Sequence, residues 1–189
     1  MAIVESDGLA GLSMRALAGK LGVAVTAIYW HVGNKEQLKD ALVELIGPRI
    51  FDVKVRGRTP QDQVLSIARS LSRGLTLHTQ LAGLAHERGR LFELFFPARS
   101  ALAEAFTAAG LRGRRVADAT NAVMQVVGDR ATARVASAQW PSQRVDESLP
   151  WDEHPAIDPR TAKRLQRIPD DDETFEVALR ALVRGLLAP

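Results

Sequence analysis

Apolar residues along this chain recur at spacings of three and four, and runs of alternating β-branched residues are missing, so the pattern predicts an almost entirely helical protein. The first 46 residues divide into short amphipathic pieces with sharp ends. Ser13 stands as an N-cap before Met14–Ala18, Leu17 and Leu21 supply one apolar side, and Gly22 sits where a left-handed residue closes a helix. A second piece runs from Val23–Val25 through Ile28, Tyr29 and Trp30 and is broken by Gly33. Asn34 and Gln37 have the spacing of a capping box and open a third helix, with Leu38, Leu42 and Leu45/Ile46 as its stripe. Leu17, Leu21, Val23, Ile28, Val32 and Leu38 therefore read as core.

Further along, Gly47-Pro48 and Lys54–Pro60 read as a connector, and Thr59-Pro60 as a cap followed by a first-turn proline. The helix it opens has Val64, Ile67/Ala68, Leu71 and Leu75 in line. Leu77–Ala85 reads as a short helix, and Pro97 as the start of another that reaches Gly110 through Leu102, Ala105 and Phe106. Residues 113–137 suit one long helix, with Val116, Thr120, Val123, Val127 and Ala131 on one side. Residues 139–159 hold four prolines and read as a loop. Pro159 then opens a short basic helix to Ile168. Asp171, Asp172 and Glu173 favour the start of a last helix, whose apolar positions are Phe175, Leu179, Leu182 and Leu186. The expected fold is all-α, with a small domain at residues 1–46 and a larger helical one at 47–189.

Composition narrows the function. With 189 residues and 46% apolar positions the chain can bury a core. No apolar run approaches the roughly 18–20 residues that cross a bilayer. The opening MAIVESDGLA lacks a basic leader segment, so a cytoplasmic protein without a membrane partner is expected. The absence of cysteine removes disulfides, Cys-ligated zinc, iron–sulfur clusters and thiol nucleophiles. No catalytic or metal-binding motif is present, so neither an enzyme nor a bound cofactor or metal is expected. The net charge is +3, but residues 1–50 hold five basic and five acidic groups, so charge alone makes no case for nucleic acid.

Residue identity makes that case. Two short helices joined across Gly22, residues 14–21 and 25–31, fit a helix-turn-helix. Gly11-Leu12-Ser13-Met14-Arg15-Ala16-Leu17-Ala18, Leu21-Gly22-Val23, Ile28-Tyr29-Trp30-His31-Val32-Gly33-Asn34-Lys35, and then Leu38, Ala41 and Leu42 closely resemble the N-terminal domain of TetR-type transcription regulators. The sharpest part, Tyr29-Trp30-His31-Val32 with Asn34-Lys35, resembles the branch of the tetracycline repressors themselves. About 35 consecutive residues carry the resemblance; the rest is similar in helical layout only.

The resemblance implies roles that chemistry can assign. Tyr29, Trp30 and His31 can donate O–H and ring N–H groups to phosphates, and Lys35 adds charge at a helix N-terminus. Ala24, Val25, Thr26 and Ala27 fall where base edges would lie. Arg15 is the long donor that could take guanine O6 and N7 together. Where such regulators often place a polar reader this chain has Val25, so thymine-methyl contact and phosphate positioning should carry much of the specificity. The plainer alternatives are Tyr29 and Trp30 as core aromatics and Lys35 as a solvated capping residue, and the motif weighs against them.

In one respect the sequence as it stands departs from the family's pattern: only Ala2–Asp7 precede Gly8, so a shortened first helix is expected, whether from a misplaced start or in the protein itself, with Ile3 and Val4 left to cover the core. The resemblance implies a homodimer that binds a palindromic double-stranded DNA operator and is released by a small-molecule effector. The dimer would form through residues 113–137 and 172–187 as a four-helix bundle. Candidate effector contacts are His78, His86, Arg90, Phe92, Phe95, Phe96, Asn121 and Gln125, with Arg130 as a further polar interruption. His86 and Arg90 share the spacing of the histidine–arginine pair that serves the drug–magnesium complex in tetracycline repressors, although their neighbours match poorly. A dry apolar pocket for another effector is the other reading, and any single phenylalanine reads more simply as core. The reading from a different class is a helical ligand-binding protein whose shortened first helix has cost it effective DNA binding.

Overall fold

The structure, a computed structural model, describes residues 11–139, 156–165 and 171–188, together with Ile3, Ser6 and Gly8. Val4, Trp140, Trp151 and His154 and most of the proline-rich loop lie outside the described residues, as does Ile168. The helices are α1 (Met14–Leu21), α2 (Val25–Val32), α3 (Lys35–Ile50), α4 (Pro60–Leu77), α5 (Thr79–Glu87), α6 (Leu91–Ala108), α7 (Arg114–Gln139), α8 (Pro159–Leu165) and α9 (Asp171–Leu186). No strand occurs among the described residues.

The polar punctuation does what its chemistry dictates. Ser13 Oγ accepts from the Ala16 N–H at 3.1 Å, and Gly22 closes α1 at φ 67°. Asn34 Oδ1 accepts from Gln37 N–H at 2.9 Å while Gln37 Oε1 accepts from Asn34 N–H at 2.8 Å, so the capping box is complete. Gly33 has φ 84° and ψ −123°, and a Cβ there would stand 1.8 Å from Gln37 Oε1. The positive φ is what calls for glycine in the break between α2 and α3, since the Gln37 amide could swing aside at the loss of its capping bond.

Two apolar clusters result. The smaller gathers Leu12, Met14, Ala18, Ile28 and Leu38, with Leu17, Val25, Val32 and Leu42 at its margin; Ile3 is also buried. The larger is built around α4, whose Val64, Ile67, Ala68 and Leu71 are at most 1% exposed. Helix α4 packs against α6 and α7, and α9 packs across α7 and α4. Helix α3 belongs to both clusters: Leu38 enters the small one, Val43 and the following Phe51 enter the large one, and Leu42 touches both. Gly47 lets α3 approach α6, because a Cβ there would meet Leu94 Cδ1 at 2.4 Å.

Several expectations are corrected. The buried stripe of α1 is Met14 and Ala18 rather than Leu17 and Leu21, with Leu17 only half-buried. The next position on the Met14–Ala18 stripe is the left-handed Gly22, so Leu21 (60% exposed) and Val23 (45%) flank the turn and reach neither cluster. Gly47-Pro48 does not end α3, which continues to Ile50 and is closed by an N–H from the buried Phe51 to Gly47 O at 3.0 Å. Pro97 lies inside α6 rather than at its start. An internal proline costs about 3 kcal/mol, but beginning at Leu91 buries Leu94 and half-buries Phe95, side chains that gain up to about 1.5–3 kcal/mol each when fully covered. On α9 the buried position is Val183, with Leu182 only partly covered.

Candidate nucleic-acid interface

The second helix of the motif is held by few residues and shows many. Ile28 is its one buried side chain; Val25 and Val32 lean on the small cluster. Tyr29 is 53% and Trp30 84% exposed. His31 is exposed as well, set edge-on to Trp30 with ring centroids 5.1 Å apart. Three neighbouring residues thus turn an O–H and ring N–H groups outward, where burial would have placed core aromatics. Thr26 and Ala24 are exposed and Ala27 is half-buried. Val25, turned partly into the cluster, is less available at the tip than Thr26.

Charge is sorted across the small domain. Arg15, Lys20 and Lys35 are exposed and have no acidic partner among the described residues. The acids Glu36, Asp40 and Glu44, spaced by four along α3, face Arg88 and Arg90 of the larger domain. Arg88 donates to the Glu36 carboxylate, and its Nε lies 3.5 Å from Asp40 Oδ1. Arg90 Nη1 lies 3.6 Å from Glu44 Oε2. Lys39 also reaches Glu36, at 3.3 Å, and Glu87, at 3.7 Å. The hydrogen bond from Lys39, aided by the charge of Arg88, holds the Glu36 carboxyl below its ordinary range. Residues 1–50, whose formal charges sum to zero, therefore turn Arg15, Lys20 and Lys35 outward and direct Glu36, Asp40 and Glu44 to the larger domain.

The candidate effector residues do not gather at one site. Phe92, Phe96 and Asn121 line one groove between α6 and α7, of about 340 Å³, together with Arg99 and Thr120. Phe95 faces the other way, with its ring edge-on to the buried Phe51 at 5.5 Å. Gln125 lies one turn past Asn121, exposed, and donates to Asp129 Oδ1 at 2.7 Å. His78 caps the junction of α4 and α5. His86 is exposed at the end of α5, while Arg90 is held by Glu93 at 2.7 Å and by Glu44, which puts Arg90 at the contact between domains. Glu93, more than Glu44, raises the Arg90 guanidinium above its usual range. Arg130 stacks 4.2 Å over Phe175 and pairs with Asp172.

The sequence reading missed Arg88 and Arg99. Arg99 could have been found from its spacing, three and seven residues after Phe96 and Phe92 on one helix face. Arg88 could not, because its partners lie 52 and 48 residues away in the chain.

Comparison with known proteins agrees with this geometry. Residues 1–42 match the family described as bacterial regulatory proteins, tetR family, and residues 56–189 match the tetracyclin repressor-like, C-terminal domain. An HTH-type transcriptional regulator of Saccharopolyspora erythraea is 30% identical over 86 residues, 46% of this chain and 36% of that protein. The class A tetracycline repressor of Escherichia coli from transposon 1721 is 54% identical over 42 residues, 22% of this chain and 19% of the repressor. The match to the first of these curated relatives spans about a third of its length. The crystal structure of the TetR family protein ActR of Streptomyces coelicolor with actinorhodin superposes at a TM-score of 0.66, 26% identical, over 98% of this chain and 91% of that one. Another regulator of that organism, described as a TetR, superposes at 0.72 with 24% identity over 98% and 92% of the two chains, a likeness of fold.

Proposed function

The chain belongs to the TetR family of bacterial regulatory proteins, and from that premise we propose that it is a ligand-responsive transcriptional repressor acting in the cytoplasm as a homodimer on a palindromic operator. The observation that carries the DNA reading is the exposure of Tyr29, Trp30 and His31 on a helix whose one buried residue is Ile28. Arg15 and Thr26 are the candidate base readers, with Ala24, Val25 and Ala27 beside them. Lys35, at the first position of α3, brings charge to the backbone where the helix dipole also favours a phosphate.

Dimerisation falls to α7 and α9. Helix α9 carries exposed small or apolar residues, Val177, Ala178 and Ala181, suited to close packing with the helices of a second copy. Two reading helices would then be presented to successive major grooves, one helical turn or a multiple of it apart.

The effector would act by shifting the population toward a dimer whose reading helices are wrongly spaced. Helix α3 is suited to transmit the shift, together with the connector through residue 60. It shares both cores and is tied at Glu36, Asp40 and Glu44 to Arg88 and Arg90. In ActR, whose structure is known with actinorhodin and with (S)-DNPA, the same fold holds small molecules, which supports this reading.

The test is a gel shift with the full chain on the DNA flanking its own gene, against random DNA of equal length. Specific retention at physiological salt is expected, with a stoichiometry of one dimer per palindrome. Equal retention on both DNAs, or none on either, would favour a helical ligand-binding protein without operator recognition.

A further inference from the structure

We propose that the groove between α6 and α7 seats the effector and that it takes a planar aromatic carboxylate of one or two rings, an inference that rests on the regulatory reading above. Its walls carry the chemistry of such a molecule. Phe92 and Phe96, one turn apart, stand with ring centroids 6.2 Å apart and are 64% and 56% exposed. Two phenylalanines left in water on one lip are unusual unless something covers them.

Arg99 supplies the counter-charge. Its guanidinium carbon lies 5.4 Å from the Phe92 ring centroid, and its Nη2 donates to Asn121 Oδ1 at 2.7 Å. These contacts hold the planar fork in place, and among the described residues no carboxylate pairs with it. The lining contains no acid at all, so the site is electrostatically one-sided.

Thr120 lines the same groove, but its Oγ1 is closed off from it. Ring faces on one lip and a fixed cation beside them describe an aromatic acid. The groove is open along one side and, at about 340 Å³, is at the small end of small-molecule sites.

The test titrates the full chain with 2-naphthoate, 2-naphthol and 1-naphthylmethylammonium by calorimetry. Naphthoate should bind at least about ten-fold more tightly than the ammonium, with naphthol between them. Arg99→Gln should weaken naphthoate about ten-fold or more while leaving naphthol nearly unchanged, a split that general damage to the fold would not give. Equal binding of anion and cation, absence of naphthoate binding, or an unchanged Arg99→Gln would each overturn the proposal. So would a double Phe92→Ser/Phe96→Ser variant that sediments as a monomer where the parent is a dimer, since the lip would then belong to a second copy.

A parallel operator-retention assay separates the two readings. Arg99-dependent naphthoate binding by a chain that retains no operator supports the groove and removes the regulatory role. Operator binding released by some other molecule, with no naphthoate binding, does the reverse.

Discussion

Arg88, just past the end of α5, donates both to the carboxylate of Glu36 in α3 and to its backbone oxygen, the latter at 3.3 Å. One guanidinium of the larger domain thus grips the first turn of the helix that follows the reading helix. The Arg88 side chain is 19% exposed but that of Glu36 57%, so the pair lies half in water and positions the two helices more than it stabilises them.

Replacing Arg88 by methionine should therefore weaken communication more than either binding event. Operator affinity without effector should stay within a few-fold, while the effector-induced loss of affinity should shrink by about 0.5–2 kcal/mol of coupling. Fluorescence anisotropy of labelled operator, with and without saturating effector, reads both terms. An unchanged ratio would remove Arg88 from the coupling route.

Trp30→Ala should separate DNA binding from stability. The side chain is 84% exposed, so the melting free energy should move by less than about 0.5 kcal/mol. Operator affinity should fall by about 1 kcal/mol or more, because the ring N–H no longer reaches a phosphate. A large destabilisation with unchanged DNA affinity would return Trp30 to a core role.

Arg15→Ala and Lys35→Met should fail in different ways. Loss of Arg15 should cost about 1–3 kcal/mol on the specific operator and relax the preference at one base pair per half-site. Loss of Lys35 should weaken specific and random DNA alike and reduce the slope of log affinity against log salt by about one for each phosphate left without its cation. Equal losses on both DNAs for Arg15→Ala would contradict the base-reading role.

The bidentate pair from Arg69 to Glu176, at 2.7 and 2.6 Å, ties α4 to α9. Arg69, by hydrogen bond and then by charge, holds the Glu176 carboxyl below its ordinary 4.5. A depressed carboxylate stabilises the fold above its unfolded pKa, and that contribution disappears as pH falls through the lower folded value. Glu176→Gln should thus lower stability at pH 7 by about 1 kcal/mol or less, since both partners are partly exposed. The deficit should vanish under strong acid. Urea titrations from pH 2 to pH 7 read the difference.

Local chemistry is legible in the sequence where it is self-contained. Ser13, Asn34 with Gln37, and Thr59-Pro60 satisfy their own helix ends within three residues, so the chain alone fixes where those helices begin. The stripe Val64–Leu71 is legible because one helix is buried along its whole inner side. Pro97 misleads because its cost is visible in the sequence while the burial of Leu94 that outweighs it is not. Leu21 and Val23 mislead because apolar identity says nothing of whether a partner reaches the turn. In the reading face, motif residues are legible one by one, but their exposure is not. The pairing of Glu36 with Arg88 and of Arg99 with Asn121 arises only when distant helices meet.

Helix α2 keeps its place through one buried side chain, Ile28, with Val25 and Val32 beside it. Its exposed positions contribute little to folding, so descendants of this gene can exchange the base-facing ones and acquire new target sites without first gaining stability elsewhere. The central helix α4 has no such latitude, since most substitutions along Val64–Leu71 would leave more of the protein misfolded. Drift in which promoters are recognised should therefore outpace drift in the scaffold, and duplicated copies can part ways at the operator while remaining superposable in their cores.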